Sequence, residues 1–170
     1  MLKIKGQATW VSAALYTALG IATIAIILAV GMPILENLKD KNTVSQTKEL
    51  MLEFDDVIRE TFEGPGSQRE FFIDVKKGDF VIDGRKGKDG LNWSMNTKAK
   101  LMEPGVVLDE GNLKFKFKKN GDEYIITLIL DYKNIADLKI DGKDESKKLL
   151  GRYNALIRND GEKGINIIFK

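Results

Sequence analysis

The chain holds 170 residues, with 27 Lys and Arg against 25 Asp and Glu and neither Cys nor His, a length for one modest domain plus an appendage. Without Cys or His it has no thiolate nucleophile, disulfide, imidazole base or usual zinc ligand. Residues 1–5 carry only the charges of Lys3 and Lys5, residues 6–35 carry no charge, and both signs are spread through residues 36–170, which leaves no broad basic face for nucleic acid.

The run from Trp10 to Leu35 is dominated by Ala, Ile, Leu and Val. About 20 such residues in a helix cross a bilayer's hydrocarbon core. Inside lipid each backbone amide needs an internal partner, so the run should be helical, with membrane lipid around it. Trp10 and Tyr16 stand toward its N-terminal end, where amphipathic rings favour the interface. Lys3 and Lys5 precede the span without an acid, whereas Glu36, Lys39, Asp40 and Lys41 follow it with mixed sign. The positive-inside bias then keeps the N-terminus cytoplasmic and the remaining residues outside, as a single-pass membrane protein. A secretory signal cut near Ala29-Val30-Gly31 would have a shorter core of about 7–15 apolar residues. A plain permanent anchor satisfies the hydropathy as it stands.

The junction adds a third reading. A short basic leader, Met1-Leu2-Lys3-Ile4-Lys5, ends in Gly6-Gln7 and runs directly into the apolar segment. This resembles the class III signal peptide of type IV pilin-like proteins of the archaeal kind. In that family a prepilin-type peptidase cuts after Gly on the cytoplasmic side and leaves the hydrophobic helix attached. The family's mature chain often opens with Gln, a hydroxyl residue two positions on, Glu two beyond and Leu four further. Gln7, Thr9 and Leu15 agree with this pattern, and Val11 stands where the family carries Glu. Because that acid is implicated in docking a new subunit, the departure bears on assembly more than on processing.

The resemblance extends over about the first 60 residues. Family members carry one long helix, apolar and then amphipathic, often bent by Gly or Pro, and Gly20, Gly31 and Pro33 fit that description. Pro33 removes one ladder hydrogen bond and should kink the helix. Ala13, Ala14, Ala18, Gly20, Ala22, Ala25 and Ala29 are small enough for helices to approach closely. Beyond Pro33, Leu50, Phe54, Val57, Ile58, Thr61 and Phe62 recur at helical spacing, with Lys48, Glu49, Glu53, Asp56, Arg59 and Glu60 between them. That half has a dry face and a wet one.

Gly64-Pro65-Gly66 stops the helix and marks a boundary. Phe72 to Val75 and Asp79 to Asp83 read as strands joined by a tight turn at Lys76-Lys77-Gly78, and Leu91 to Asn96 as a third with Leu91, Trp93 and Met95 on one face. Leu113 to Lys118 alternates strictly, and Asn120-Gly121 links it to Tyr124–Leu130 through what should be a type I′ hairpin turn. Leu138 to Ile140, Tyr153 to Ile157 and Ile165 to Phe169 follow. Residues 144–151 fit either a strand or a short helix capped by Asp144. Six to eight short strands predict an antiparallel sheet or small β-sandwich.

Chemistry-bearing clusters in the head have bland explanations. Lys114, Lys116 and Lys118 form a row suited to phosphate or anionic glycan, but such rows usually solvate a strand and protect an edge. The loop Asp83–Gly90 is Gly-rich, yet it lacks a terminal Gly-Lys-Ser/Thr and joins two strands rather than opening a helix. Asp141, Asp144 and Glu145 do not follow the twelve-residue calcium pattern. Asp55 and Asp56 are adjacent on a helix and point apart. Ser146 with Lys147 or Lys148 has no identifiable base geometry or oxyanion hole.

The sequence thus predicts an α+β protein: a leader at 1–6, a long helix over 7–63 with its span at about 10–35 and an amphipathic half at 36–63, and an extracytoplasmic β-rich head over 66–170. It points to a structural subunit of a surface filament or related pilin-like machine, and away from an enzyme, a cofactor or a nucleic-acid partner. The resemblance implies a prepilin peptidase, an assembly ATPase with its membrane platform, and copies of the chain or related pilins as partners. The alternative is an uncleaved single-span protein whose β head binds a partner at the cell surface.

Overall fold

The computed structural model describes residues 4–170, with side chains described from Trp10 onward. It is an α+β arrangement of one long helix followed by eight strands. Helix α1 spans Ile4–Glu63 and continues through Pro33, whose missing N–H withholds a donor from the Ala29 carbonyl without ending the helix. Residue contacts divide the chain into two units, Met1–Lys39 and Asp40–Lys170.

In the second unit, strands β1 (Gln68–Asp83), β2 (Gly90–Thr97), β3 (Val107–Glu110), β4 (Leu113–Asn120), β5 (Glu123–Asp131), β6 (Asp137–Ile140), β7 (Ser146–Gly161) and β8 (Gly164–Phe169) form one sheet. Their order is β3-β4-β5-β2-β1-β7-β8-β6. Every ladder is antiparallel except β6 with β8. The head is therefore a single mixed sheet, not two stacked ones. Its apolar face carries Ile73, Phe80, Trp93, Phe117, Leu128 and Ile157, which join one core with Val44, Met51, Phe54 and Ile58 of α1. The amphipathic half of the helix supplies the second layer, so no second sheet is needed. Phe54 meets Phe71 edge to face, with centroids 5.1 Å apart.

The helix ends without a basic residue in its last turn, so its terminal carbonyls need other donors. Asn159 of β7 supplies them, its Nδ2 donating to the carbonyls of Thr61 at 3.1 Å and Phe62 at 3.0 Å. Ser67 Oγ adds a bond to the Thr61 carbonyl at 2.6 Å. Three bonds thus fix where α1 hands over to the sheet.

Three local expectations are corrected. Lys76-Lys77-Gly78 is a bulge within one long strand, not a turn between two: Val75 pairs with Gly151 and Phe80 with Leu149, both on β7. Gly78 has φ +90°, and a Cβ there would lie 2.6 Å from Trp93 Nε1. Only glycine lets the chain bulge against the buried indole, whose Nε1 donates to the Lys77 carbonyl at 2.9 Å. The β4–β5 hairpin closes one residue later than the Asn-Gly reading. Asn120 pairs with Glu123, leaving Gly121-Asp122 as the loop. Positive φ falls on Gly121 and not on Asp122, the glycine-first requirement of a II′ turn. Finally, β4 lies inside the sheet with β3 at the edge, so its lysine row does not shield an edge. Residues 146–151, open between helix and strand in the sequence, belong to β7.

Candidate functional site

The first candidate is the surface of α1 between Trp10 and Lys39, where every residue is exposed. An 18-residue window here reaches a mean hydropathy of 2.5, long and apolar enough to cross a membrane. Trp10 is 81% exposed and Val11, Leu15, Ile24, Ile27 and Val30 are each more than half exposed, an arrangement water disfavours at roughly 25 cal/mol per Å² of apolar surface. Two of its hydroxyls are turned inward on the helix itself. Thr17 Oγ1 donates to the Ala13 carbonyl at 2.9 Å and Thr23 Oγ1 to the Leu19 carbonyl at 2.8 Å. Neither hydroxyl demands a water partner, as an apolar surrounding requires. Nothing lies within 4 Å of a Cβ built on Gly20 or Gly31, so both present bare backbone on this surface. Of the sequence-predicted site residues, Trp10, Val11, Leu15, Gly20, Gly31 and Pro33 lie on this surface. The processing site at Gly6 and Gln7, and Thr9, lie outside the residues whose side chains are described.

The second candidate is the lock between residues 40–63 of α1 and the sheet. Asp40 accepts Lys77 Nζ at 2.6 Å on Oδ1 and Thr97 Oγ1 at 2.7 Å on Oδ2. Lys76 Nζ donates to Gln46 Oε1 at 3.0 Å, so the β1 bulge aims two consecutive lysines at the helix. One turn after Met51 the buried Asp55 accepts Tyr132 Oη at 2.7 Å, Arg59 Nε at 2.8 Å and Asn112 Nδ2 at 3.3 Å. Burial first, then the hydrogen bond to Asp55, push the Tyr132 phenol far above its ordinary range. The Asp55 hydrogen bond raises the Arg59 guanidinium. In the sequence Asp55 is only one of two adjacent helix acids, and nothing local signals this network, because Tyr132 and Asn112 lie far along the chain.

The remaining clusters are drawn into structural contacts. Asp55 points into the core and Asp56 outward, so the pair shares no reaction centre. Arg85 binds Asp83 through Nη2 at 2.5 Å, and buried Asp89 accepts the Leu138 amide at 2.9 Å, which commits the Gly-rich loop to holding β6. Asp141 accepts the Phe169 amide at 2.9 Å and Lys147 Nζ at 3.3 Å. Lys147 also lies 3.9 Å over the Phe169 ring, while Lys148 pairs with Asp79, so the two lysines beside Ser146 part to opposite faces. Among the described residues no group of three acidic side chains is placed to hold a metal. Comparison with protein-family models, with curated proteins and with solved structures returns no match.

Proposed function

We propose that the chain is a structural subunit of a type IV pilus-like surface filament or a related pilin-like machine, held in the membrane by α1 before assembly. The observation that carries this reading is the charge-free, exposed apolar stretch of α1 between Trp10 and Leu35. An apolar rod of this length can exchange lipid for neighbouring rods. The Gly6-Gln7 junction supports the same reading through its resemblance to a class III leader, and Lys3 and Lys5 favour a cytoplasmic N-terminus. Cutting after Gly6 would remove both lysines, leaving 25 basic and 25 acidic side chains from the 27 and 25 of the whole chain.

Val11 in the position of the family's docking acid favours a second reading, an uncleaved single-span protein that presents its β head at the cell surface without polymerising. Shearing the surface of expressing cells separates the two. Filaments that contain this chain support the first, and a chain found only in the membrane fraction supports the second.

A further inference from the structure

Two rows of like charge, largely without ion pairs, run along the head, one acidic on α1 and one basic on β4, and Glu49 and Glu53 of the first border a groove with Phe72, Asp74 and Lys76 of β1. On α1 the acids Glu49, Glu53, Asp56, Glu60 and Glu63 fall at positions i, i+4, i+7, i+11 and i+14, and all five are exposed. At 100° per residue this stripe lies diametrically opposite the buried one of Thr47, Met51, Phe54, Ile58 and Thr61. The basic residues among them are drawn aside, Lys48 to Glu110 and Arg59 to Asp55. Glu60 pairs with Arg69 at 3.2 Å. Glu49, Glu53, Asp56 and Glu63 make no ion pair among the described residues.

In the sheet, β4 alternates Leu113, Phe115 and Phe117 toward the core with Lys114, Lys116 and Lys118 away from it. These three lysines likewise make no ion pair among the described residues, although Asp109 stands beside Lys114 on β3. Lys148–Asp79, Arg152–Asp74 and Arg85–Asp83 are paired elsewhere on the sheet. The lysines repeat every two residues of strand, about 6.8 Å, and the acids every three or four residues of helix, about 4.5–6 Å. The rows are therefore opposite in sign and approximately equal in pitch. Like charges lined up along one element repel, and a complementary row removes that repulsion from both.

We infer that the heads of adjacent copies stack head to tail, the acidic stripe of α1 in one copy lying on the β4 lysine row of the next. Because the two patches differ, the contact is heterologous and does not close as a two-fold dimer. It rests on the reading of the chain as a subunit that meets its own copies, and it adds the face by which the heads do so.

The chain has no cysteine, so engineered thiols report without background. Two differently tagged full-length copies, one Glu53→Cys and one Lys116→Cys, are co-expressed and treated in intact cells with a short bis-maleimide. The expected product joins residue 53 of one copy to residue 116 of the other. Adding Lys114→Glu and Lys118→Glu to the second copy should cut its yield about tenfold, the effect of two exposed pairs lost and replaced by repulsion. Adding Glu49→Lys and Asp56→Lys to the first copy should then restore it, which also shows that the variants fold. A yield unmoved by charge reversal, or adducts that join only 53 to 53 or 116 to 116, would overturn the contact. An anionic polymer on the lysines or a basic partner on the acids would leave the 53–116 adduct missing, and that absence overturns the contact equally. Sheared filaments that lack the adduct overturn this contact and keep the filament reading. The adduct without filaments keeps the contact and overturns the filament reading.

Discussion

Tyr132 Oη donates to Asp55 Oδ1 across 2.7 Å, joining residues 77 apart in the sequence. Asp55 is on α1 and Tyr132 follows β5, so this bond fastens the helix to the segment that leaves β5. Tyr132→Phe leaves Asp55 with Arg59 and Asn112 as donors and strips one bond from a buried carboxylate. Losses of this kind run to about 1–3 kcal/mol. Urea unfolding of the full chain in detergent, followed by Trp93 fluorescence in a Trp10→Phe background, should show a drop of that size.

The same tyrosine sets an alkaline limit. Burial and the Asp55 hydrogen bond hold its folded pKa above the ordinary 10.0. A raised pKa means that its contribution is complete below the unfolded value and is lost as pH rises past it, because the unfolded phenol ionises first. Stability should fall above about pH 10, with this group adding a slope of up to about 1.4 kcal/mol per pH unit. Comparing unfolding curves of the parent and Tyr132→Phe between neutral and alkaline pH should show the slope flatten in the variant.

Gly78→Ala tests the β1 bulge. The residue sits at φ +90° with Trp93 Nε1 at 2.6 Å and the Ser94 carbonyl at 2.7 Å from the new methyl carbon, so both backbone strain and overlap oppose the side chain. The loss should be about 1–3 kcal/mol or more. Trp93 emission should move to the red as its bond to the Lys77 carbonyl opens. An unshifted spectrum with unchanged stability would mean that the bulge does not depend on this glycine.

The apolar stretch of α1 is tested at its middle. Ile24→Arg places a charge where insertion costs about 2.5–3.5 kcal/mol, and Arg cannot fold back on the helix as Thr23 does. The variant should shift from the membrane pellet toward the soluble or aggregated fraction after alkaline extraction. Glu36→Arg, beyond the charge-free run, should remain in the pellet.

Local pattern makes much of this legible. The absence of charge between Lys5 and Glu36 marks the exposed half of α1, and strict alternation gives β2 and β4 their faces. What local pattern does not carry is set by distant residues. Lys76-Lys77-Gly78 has turn composition, and only β7, pairing on both sides of it, makes it a bulge. Residues 146–151 hold only two apolar side chains, adjacent Leu149 and Leu150, and include Gly151 at φ +97°, so no alternation announces a strand and its character comes from β1 alongside. Ile165 and Leu138 meet in parallel in the β6–β8 ladder, a pairing no hairpin signal announces. The Asp55 site is hidden for the same reason, since an acid on a helix reads as solvated until its distant donors are seen. The apolar surface of α1 is readable because apolar helix content is a property of the segment alone.

The most direct test of the central claim is the N-terminus of the chain recovered from membranes, read by mass spectrometry. A mature chain beginning at Gln7 and retaining the apolar helix through to the head is the predicted result, with Gly6→Val leaving the leader in place. A chain that keeps Met1 or Leu2, or a soluble head severed near Gly31, would contradict it.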